Sequence, residues 1–267
     1  MPLEVRPLTR HIGAELHGID LANSFDERAF KALHAAFLEH HVVFVPGQYL
    51  GPSDLLGIAS WFGEILRNPL SPKVDGFPDV TELVTHDGRA PDIWHFDTSY
   101  GEVPPMASLL SMINSPAVGG DTLWVSMHAV YESLSSPMRE FVERLSVVYE
   151  SGAKGPPGHV AEHPLVRIHP ETRRKSLFFD PMYSTRVPEL NSTEGEALLA
   201  FLRSYVTDPT FACRYHWTDG TFAMWDNRCT LHRVASDFVG ERVIIRVTVA
   251  GDQPIPAQAL EPRREST

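Results

Sequence analysis

A chain of 267 residues with 43% hydrophobic and 21% charged side chains can bury a sizeable core, as one large β-rich domain or two small ones. Its formal charge of −11, from 23 Lys and Arg against 34 Asp and Glu, argues against a nucleic-acid or anionic membrane surface, since both need clustered cations. An anionic small molecule would have to be held by a few buried, well-placed cations.

The amino terminus, Met1-Pro2-Leu3-Glu4-Val5-Arg6, lacks the apolar core of a secretory signal, and no stretch approaches the ~18–20 apolar residues of a membrane span. Cys213 and Cys229 stand in no metal-ligand spacing and read as free thiols of a reducing compartment. A cytoplasmic protein is the expectation.

In chain order, Ser24-Phe25-Asp26-Glu27 reads as a capping box before a helix with Phe30, Leu33 and Phe37 on one face. That helix should end near His40 and His41, where Val42-Val43-Phe44-Val45 forms a short buried strand stopped by Pro46-Gly47. A second helix is predicted over 53–62, then strands over 107–113, 122–126, 146–150, 165–169 and 176–179. The glycine- and proline-rich run 152–158 is too flexible for a core element and suits a lid. Thr193-Glu194-Gly195-Glu196 offers a cap for a helix with Leu198, Leu202 and Tyr205 on one face. Runs 211–217 and 221–225 around Asp219-Gly220 predict a hairpin, and 243–249 a closing strand. The polar stretch from Pro254 onward reads as a loose tail. Short strands with flanking helices imply a mainly β fold, a jelly-roll-like barrel.

Chemistry concentrates in four places. In Trp94-His95-Phe96-Asp97 an extended backbone would turn His95 and Asp97 to the same face. Trp225-Asp226-Asn227-Arg228-Cys229-Thr230-Leu231-His232 supplies a third donor, His232. Two imidazoles and a carboxylate on one face of a metal leave the opposite positions open, the facial triad of non-haem iron(II) oxygenases. The third place is the late strand, where Arg242, Ile244, Arg246 and Thr248 share one face, and Val243, Ile245, Val247 and Val249 the other. The two arginines could simply face water; if they face inward, their guanidinium groups need anions, and the forked donors match a dicarboxylate. Fourth, Gly119-Gly120-Asp121-Thr122 forms a tight turn into a strand, with the Thr122 hydroxyl free to add a hydrogen bond. Trp94 and Trp124 read as walls of the site; His86, His128, His163, His169 and His216 receive no role.

Together these motifs, with Leu123-Trp124 extending the glycine turn, resemble the taurine dioxygenase (TauD/TfdA) family of iron(II)/2-oxoglutarate dioxygenases, in order and spacing over nearly the whole chain. The resemblance implies a double-stranded β-helix (jelly roll), one domain over residues 1–253, and iron(II) bound by His95, Asp97 and His232. It also implies that Arg242 pairs with the distal carboxylate of 2-oxoglutarate, assisted by Thr122. Arg246 matches an arginine that lies beside the co-substrate and holds the sulfonate in the taurine enzyme. The implied reaction consumes O2, splits 2-oxoglutarate to succinate and carbon dioxide, and hydroxylates or desaturates a substrate; retention of Asp97 disfavours halogenation.

Departures fall where the substrate would sit. Asn68 stands at the taurine enzyme's sulfonate-binding histidine, Pro91 replaces a substrate-contacting asparagine, and Tyr183 matches a pocket phenylalanine. Asn68, Thr98, Tyr183 and Arg246 are therefore the substrate-binding candidates. The expected substrate is a small anionic organic molecule other than taurine, such as a sulfonate, alkyl sulfate or aryloxyalkanoate. The alternative is a tailoring oxygenase of an amino-acid or nucleoside intermediate. A homo-oligomer is expected by analogy alone.

Overall fold

The computed structural model describes residues 3–67, 71–89, 92–152 and 155–260; Asn68, Pro91, part of the expected lid and the end of the tail lie outside them. In chain order come β1 (Glu4–Pro7), β2 (Ala14–His17), α1 (Glu27–His40), β3 (Val42–Val45), α2 (Pro52–Ala59), β4 (Lys73–Val74), β5 (Phe77–His86), β6 (Ala107–Asn114) and β7 (Thr122–Ser126). Next are α3 (Met127–Ser133), α4 (Ser136–Val142), β8 (Ser146–Glu150), β9 (Val160–Pro164), β10 (Val166–Ile168), β11 (Lys175–Leu177), β12 (Ser184–Arg186) and α5 (Ser192–Tyr205). The chain closes with β13 (Ala212–Tyr215), β14 (Phe222–Asp226), β15 (Thr230–Val234), β16 (Glu241–Val249) and β17 (Ile255–Pro256).

Among the described residues one sheet has eight strands, in the order β1-β2-β3-β14-β6-β16-β5-β4, and β13-β7-β15 is a smaller sheet of three. Alternation along the strands puts these two sheets face to face. Val42, Phe44, Ala223, Trp225 and Ile244 of the large sheet pack with Trp124, Tyr215 and Trp217 in one buried cluster. Phe44 stacks on Tyr215 with ring centroids 3.7 Å apart. The intervening side chains, Val43, Val45, Phe222, Met224, Val247 and Val249, face outward to meet Leu33 and Phe37 of α1 and Leu55 and Ile58 of α2. This is the expected jelly roll with flanking helices.

Local chemistry moves several boundaries. The α1 cap is Asp26, whose side chain accepts from the Ala29 N–H, and the helix ends as His41 turns to φ +64°. Asn191, paired reciprocally with Glu194, caps α5 two residues ahead of the expected cap at Thr193.

The expected hairpin around Asp219-Gly220 does not form. β13 pairs with β7, whereas β14 pairs with β3 and β6. The strong turn signal marks a crossing between sheets, and Tyr215 and Trp217 meet Ala223 and Trp225 across the sandwich instead of beside them. The tail from Pro254 is not loose over its first half. β17 pairs with β10, Ala257 to Leu260 form a 3-10 turn, and Ala257 is 1% exposed within the core. Pairing with the β10 edge supplies order that local composition does not report. Removing residues 254–267 is expected to cost about 2–3 kcal/mol through lost burial and hydrogen bonds, and thermal melting should show Tm lower by roughly 5–10 °C; an unchanged Tm would mean the docking contributes nothing.

Candidate metal centre and its two cavities

His95 lies on an irregular segment that touches the small sheet at a single bridge. Its N–H donates to the His232 carbonyl (3.1 Å) and its carbonyl accepts from the His232 N–H (3.0 Å). The imidazoles consequently meet with centroids 4.3 Å apart. The His95 Nδ1–H donates to the Ile93 carbonyl at 2.8 Å, which leaves Nε2 with its lone pair for a metal. His232 rides on β15, its ring against Trp225.

The segment is not an extended strand through Asp97, as the residue spacing suggested; Asp97 opens a turn over 97–100. Its carboxylate still reaches the same place, because Asn227 fixes the backbone there. Asn227 Oδ1 accepts from the Asp97 N–H (2.8 Å) and its amide donates to the Asp97 carbonyl (3.1 Å) and to that of Pro105 (3.2 Å). Ser108 donates to Asp97 Oδ2 at 2.7 Å, and Arg246 Nη1 to Oδ1 at 3.0 Å. The donor atoms of His95, Asp97 and His232 all lie within 4.8 Å of one another.

Electrostatics favour the deprotonated forms of Asp97 and His232. Burial pushes the Asp97 carboxyl up, but Arg246, the two imidazoles and the Ser108 hydroxyl outweigh it and hold it well below the usual carboxylate range. Burial, then the neighbouring His95, lower His232 to about 3. A neutral His232 imidazole beside an ionised Asp97 carboxylate is the state of that pair a divalent cation binds. Buried donors also gather around Cys229, with His41 and His128 or with His169 and Asp226. There, however, Asp226 is already taken up by the Arg228 guanidinium (2.8 and 2.7 Å) and by His169 (2.9 Å).

Two cavities adjoin the donor cluster. One, of about 290 Å³, is lined by His95, His232, Thr122, Trp217, Arg242 and Arg246. Arg242 is 3% exposed, and among the described residues no carboxylate pairs with it. Among the described residues its one side-chain hydrogen bond is to the Thr122 hydroxyl, at 3.5 Å, its Nε has no partner, and the guanidinium lies 5.8 Å from the Trp217 ring centre. Burial lowers its pKa to about 10. An unpaired guanidinium in an enclosed space costs several kcal/mol, on the order expected for a site built to receive an anion. The Trp217 indole N–H donates to the same Thr122 oxygen at 3.0 Å, a contact sequence reasoning missed.

The second cavity, of about 470 Å³, is lined by Asp97, Thr98, Tyr100, Val103, His159 and Arg246, with Leu66, Arg67, Pro105 and Pro156 among the remaining walls. Thr98, one of the candidates from the sequence, lines this cavity. Tyr183 does not: it is 8% exposed and packs edge-on behind Tyr100, which forms the wall itself. A bulky ring ahead of it in the layer displaces it from the cavity. Pro156 brings the described part of the expected lid to the cavity edge, and His159 just beyond it lines the same wall. Arg246 lines both cavities.

A jelly roll whose two-histidine, one-carboxylate cluster opens onto a cation-lined cavity defines the class of non-haem iron oxygenases, and its donors and unpaired guanidinium suit iron(II) and a dicarboxylate. Comparison with known proteins takes this further. Residues 4–248 match the family model described as taurine catabolism dioxygenase TauD, TfdA family. The chain is 32% identical to an alkylsulfatase of Acinetobacter baylyi over 97% of its length and 88% of that protein. It is also 32% identical to an alpha-ketoglutarate-dependent sulfate ester dioxygenase of Pseudomonas putida, over 96% and 92% of the two chains. A crystal structure of a taurine dioxygenase from Burkholderia xenovorans superposes with a TM-score of 0.89 at 37% identity, covering 96% of this chain and 92% of that one. The chain belongs to the TauD/TfdA family and is a non-haem iron dioxygenase dependent on 2-oxoglutarate and O2. Among the described residues no helix is long and apolar enough to cross a membrane.

Ser108 and Asn227 escaped the sequence reading, although Asn227 sits inside the quoted Trp-Asp-Asn-Arg run and Ser108 is a polar break in an apolar strand. Ser108→Ala deletes one hydrogen bond to the carboxylate without touching a donor atom. Titration with Mn(II) should show affinity weakened about tenfold, with the fold intact by circular dichroism.

Proposed function

We propose that His95, Asp97 and His232 are the protein ligands of the iron, that Arg242 and Thr122 receive 2-oxoglutarate in the smaller cavity, and that the larger cavity takes the substrate. Arg246, on the wall of both spaces, carries this reading. It can meet the near end of the co-substrate on one side and an anionic substrate group on the other. Bound iron supplies the oxygen activation that couples 2-oxoglutarate cleavage to substrate oxidation. The chain's own part is to aim the guests. His95 and His232 border the co-substrate cavity, Asp97 borders the substrate cavity, and Trp217 holds the Thr122 hydroxyl beside Arg242.

The substrate we infer is a monoanion with an apolar body, such as an alkyl sulfate or sulfonate. Among the described lining residues of the larger cavity, Asp97 is the only acid, and it already serves the metal in this reading. An ammonium group would find no counter-charge there, so taurine and free amino acids would lose on the order of several kcal/mol of pairing. Leu66, Val103, Pro105 and Pro156 offer apolar walls instead. The two curated relatives named above for sulfate esters agree with this preference. The amino-acid or nucleoside alternative finds no such support.

With iron(II), 2-oxoglutarate and oxygen, hexyl sulfate or hexanesulfonate should stimulate succinate formation and be consumed in step with it, and taurine should not. Preference for taurine, or no stimulation by any alkyl monoanion, would overturn the substrate assignment. Arg242→Met should raise the KM for 2-oxoglutarate about a hundredfold, the loss of roughly 3 kcal/mol of charge-assisted pairing. The same variant should melt higher than wild type in the absence of ligands, because it removes a buried, unpaired charge.

A further inference from the structure

Asp180 is a wholly buried carboxylate that no motif singled out. No cation pairs with it among the described residues; its neighbours are hydrogen-bond donors. Oδ2 accepts from the Phe96 N–H (2.9 Å) and the Ser99 hydroxyl (2.6 Å), and Oδ1 from the N–H groups of Met182 (2.8 Å) and Tyr183 (3.3 Å). Phe96 stands between His95 and Asp97, and Ser99 is two residues beyond Asp97. The carboxylate therefore grips the donor-bearing segment on both sides of Asp97.

Between those two grips the backbone is strained. Thr98 has φ +46°, in a region that a β-branched residue avoids. Such a conformation persists only where its surroundings over-determine it. Asn227 holds the Asp97 peptide from one side, Asp180 holds Phe96 and Ser99 from the other, and the Gly101 N–H donates to the Thr98 carbonyl at 3.0 Å. His163 closes the frame, its Nε2–H lying 3.1 and 2.9 Å from the carbonyls of Ser99 and Gly101.

We propose that Asp180 is a positioning residue of the oxygenase site: it locks the strained Asp97–Thr98 turn, so that one side chain points at the metal and the next lines the substrate cavity. The inference rests on the assignment of His95, Asp97 and His232 as ligands. Only a carboxylate can do this. Both oxygens face backbone N–H donors, so an asparagine of the same shape would set its NH2 against donors in either orientation.

Cobalt(II) is the probe, since its d–d absorption reports both occupancy and coordination geometry. Relative to wild type, Asp180→Asn should weaken binding about tenfold or more and shift the d–d bands. With the iron-loaded protein it should also raise the ratio of 2-oxoglutarate consumed to substrate oxidised. Thr98→Gly, added to Asp180→Asn, should recover about fivefold in cobalt affinity, because glycine adopts positive φ without the clamp. A merely structural carboxylate would not be rescued from a neighbouring turn. Ser99→Ala, a milder change, should lose a few-fold in affinity. If Asp180→Asn binds within twofold of wild type with unshifted bands, the proposal is overturned. If Asp180→Asn does not fold, Ser99→Ala within twofold of wild type overturns it equally. His232→Ala separates the two levels: unchanged cobalt binding there would sink the ligand assignment itself, whereas its loss beside a normal Asp180→Asn would sink the clamp alone.

Discussion

Two backbone hydrogen bonds between His95 and His232 are the constraint on which the site depends. They join an irregular segment to β15 at one point only, so the imidazoles meet while the chain on either side stays free to diverge. A longer ladder would carry Asp97 along the sheet; a single bridge lets it turn toward Arg246 and Asn227. β15 is itself paired along its length with β7, and His232 lies opposite Trp124 in that register. The precision of the donor cluster is thus inherited from a rigid sandwich, and only the short 95–101 segment is left to side-chain hydrogen bonds.

The second constraint is buried charge. Asp226, wholly buried, is matched by the Arg228 fork and by His169, and Arg228 reaches on to Glu171 at 2.9 Å. Every oxygen there is used, as a structural ion network requires. The charges around the cavities are arranged differently. Among the described residues Arg242 has no acid, the Nε atoms of Arg242 and Arg246 have no partner, and Arg246 shares Asp97 with the imidazoles. The same residue types thus appear once as satisfied structure, beneath the β14–β15 turn, and once as unsatisfied capacity, beside the two cavities. Leaving a guanidinium unmatched lowers the stability of the folded chain, and a bound anion would restore it.

That contrast explains what could be read from the sequence. Period-2 alternation in β3, β14 and β16 is intrinsic to the pleat, so which residues share a face was legible, but not which face turns inward; the burial of Arg242 is settled by packing against the small sheet. The convergence of His95, Asp97 and His232 could be expected from the sequence only because several motifs in one order resemble a family pattern; the structure brings their donor atoms within 4.8 Å of one another. Pairing partners were not legible. The Asp219-Gly220 turn looks the same whether it joins neighbours in one sheet or carries the chain between sheets, and β17 acquires its order from β10, far upstream. Outer contacts such as Asn227, Ser108 and Asp180 act through the backbone of other segments and leave no local pattern. Tyr183 shows the limit of alignment by position: it fits the motif, yet Tyr100 stands in front of it.

Charge balance argues further for the kind of guest. Asp97 carries one negative charge, and Arg242 and Arg246 two positive ones, in a space walled by Trp124, Trp217, Trp225 and aliphatic side chains. Adding a divalent metal and a doubly ionised co-substrate leaves a single positive charge uncompensated. A neutral substrate would leave it so, and a zwitterion would place an extra cation among walls that offer it no acid. A monoanion closes the account, and a low-dielectric site makes that closure worth more than it would be in water. Arg246 is where the surplus resides, because it faces both spaces. The family relation fixes the reaction; the charge left over beside Arg246 is this chain's own argument for what is oxidised.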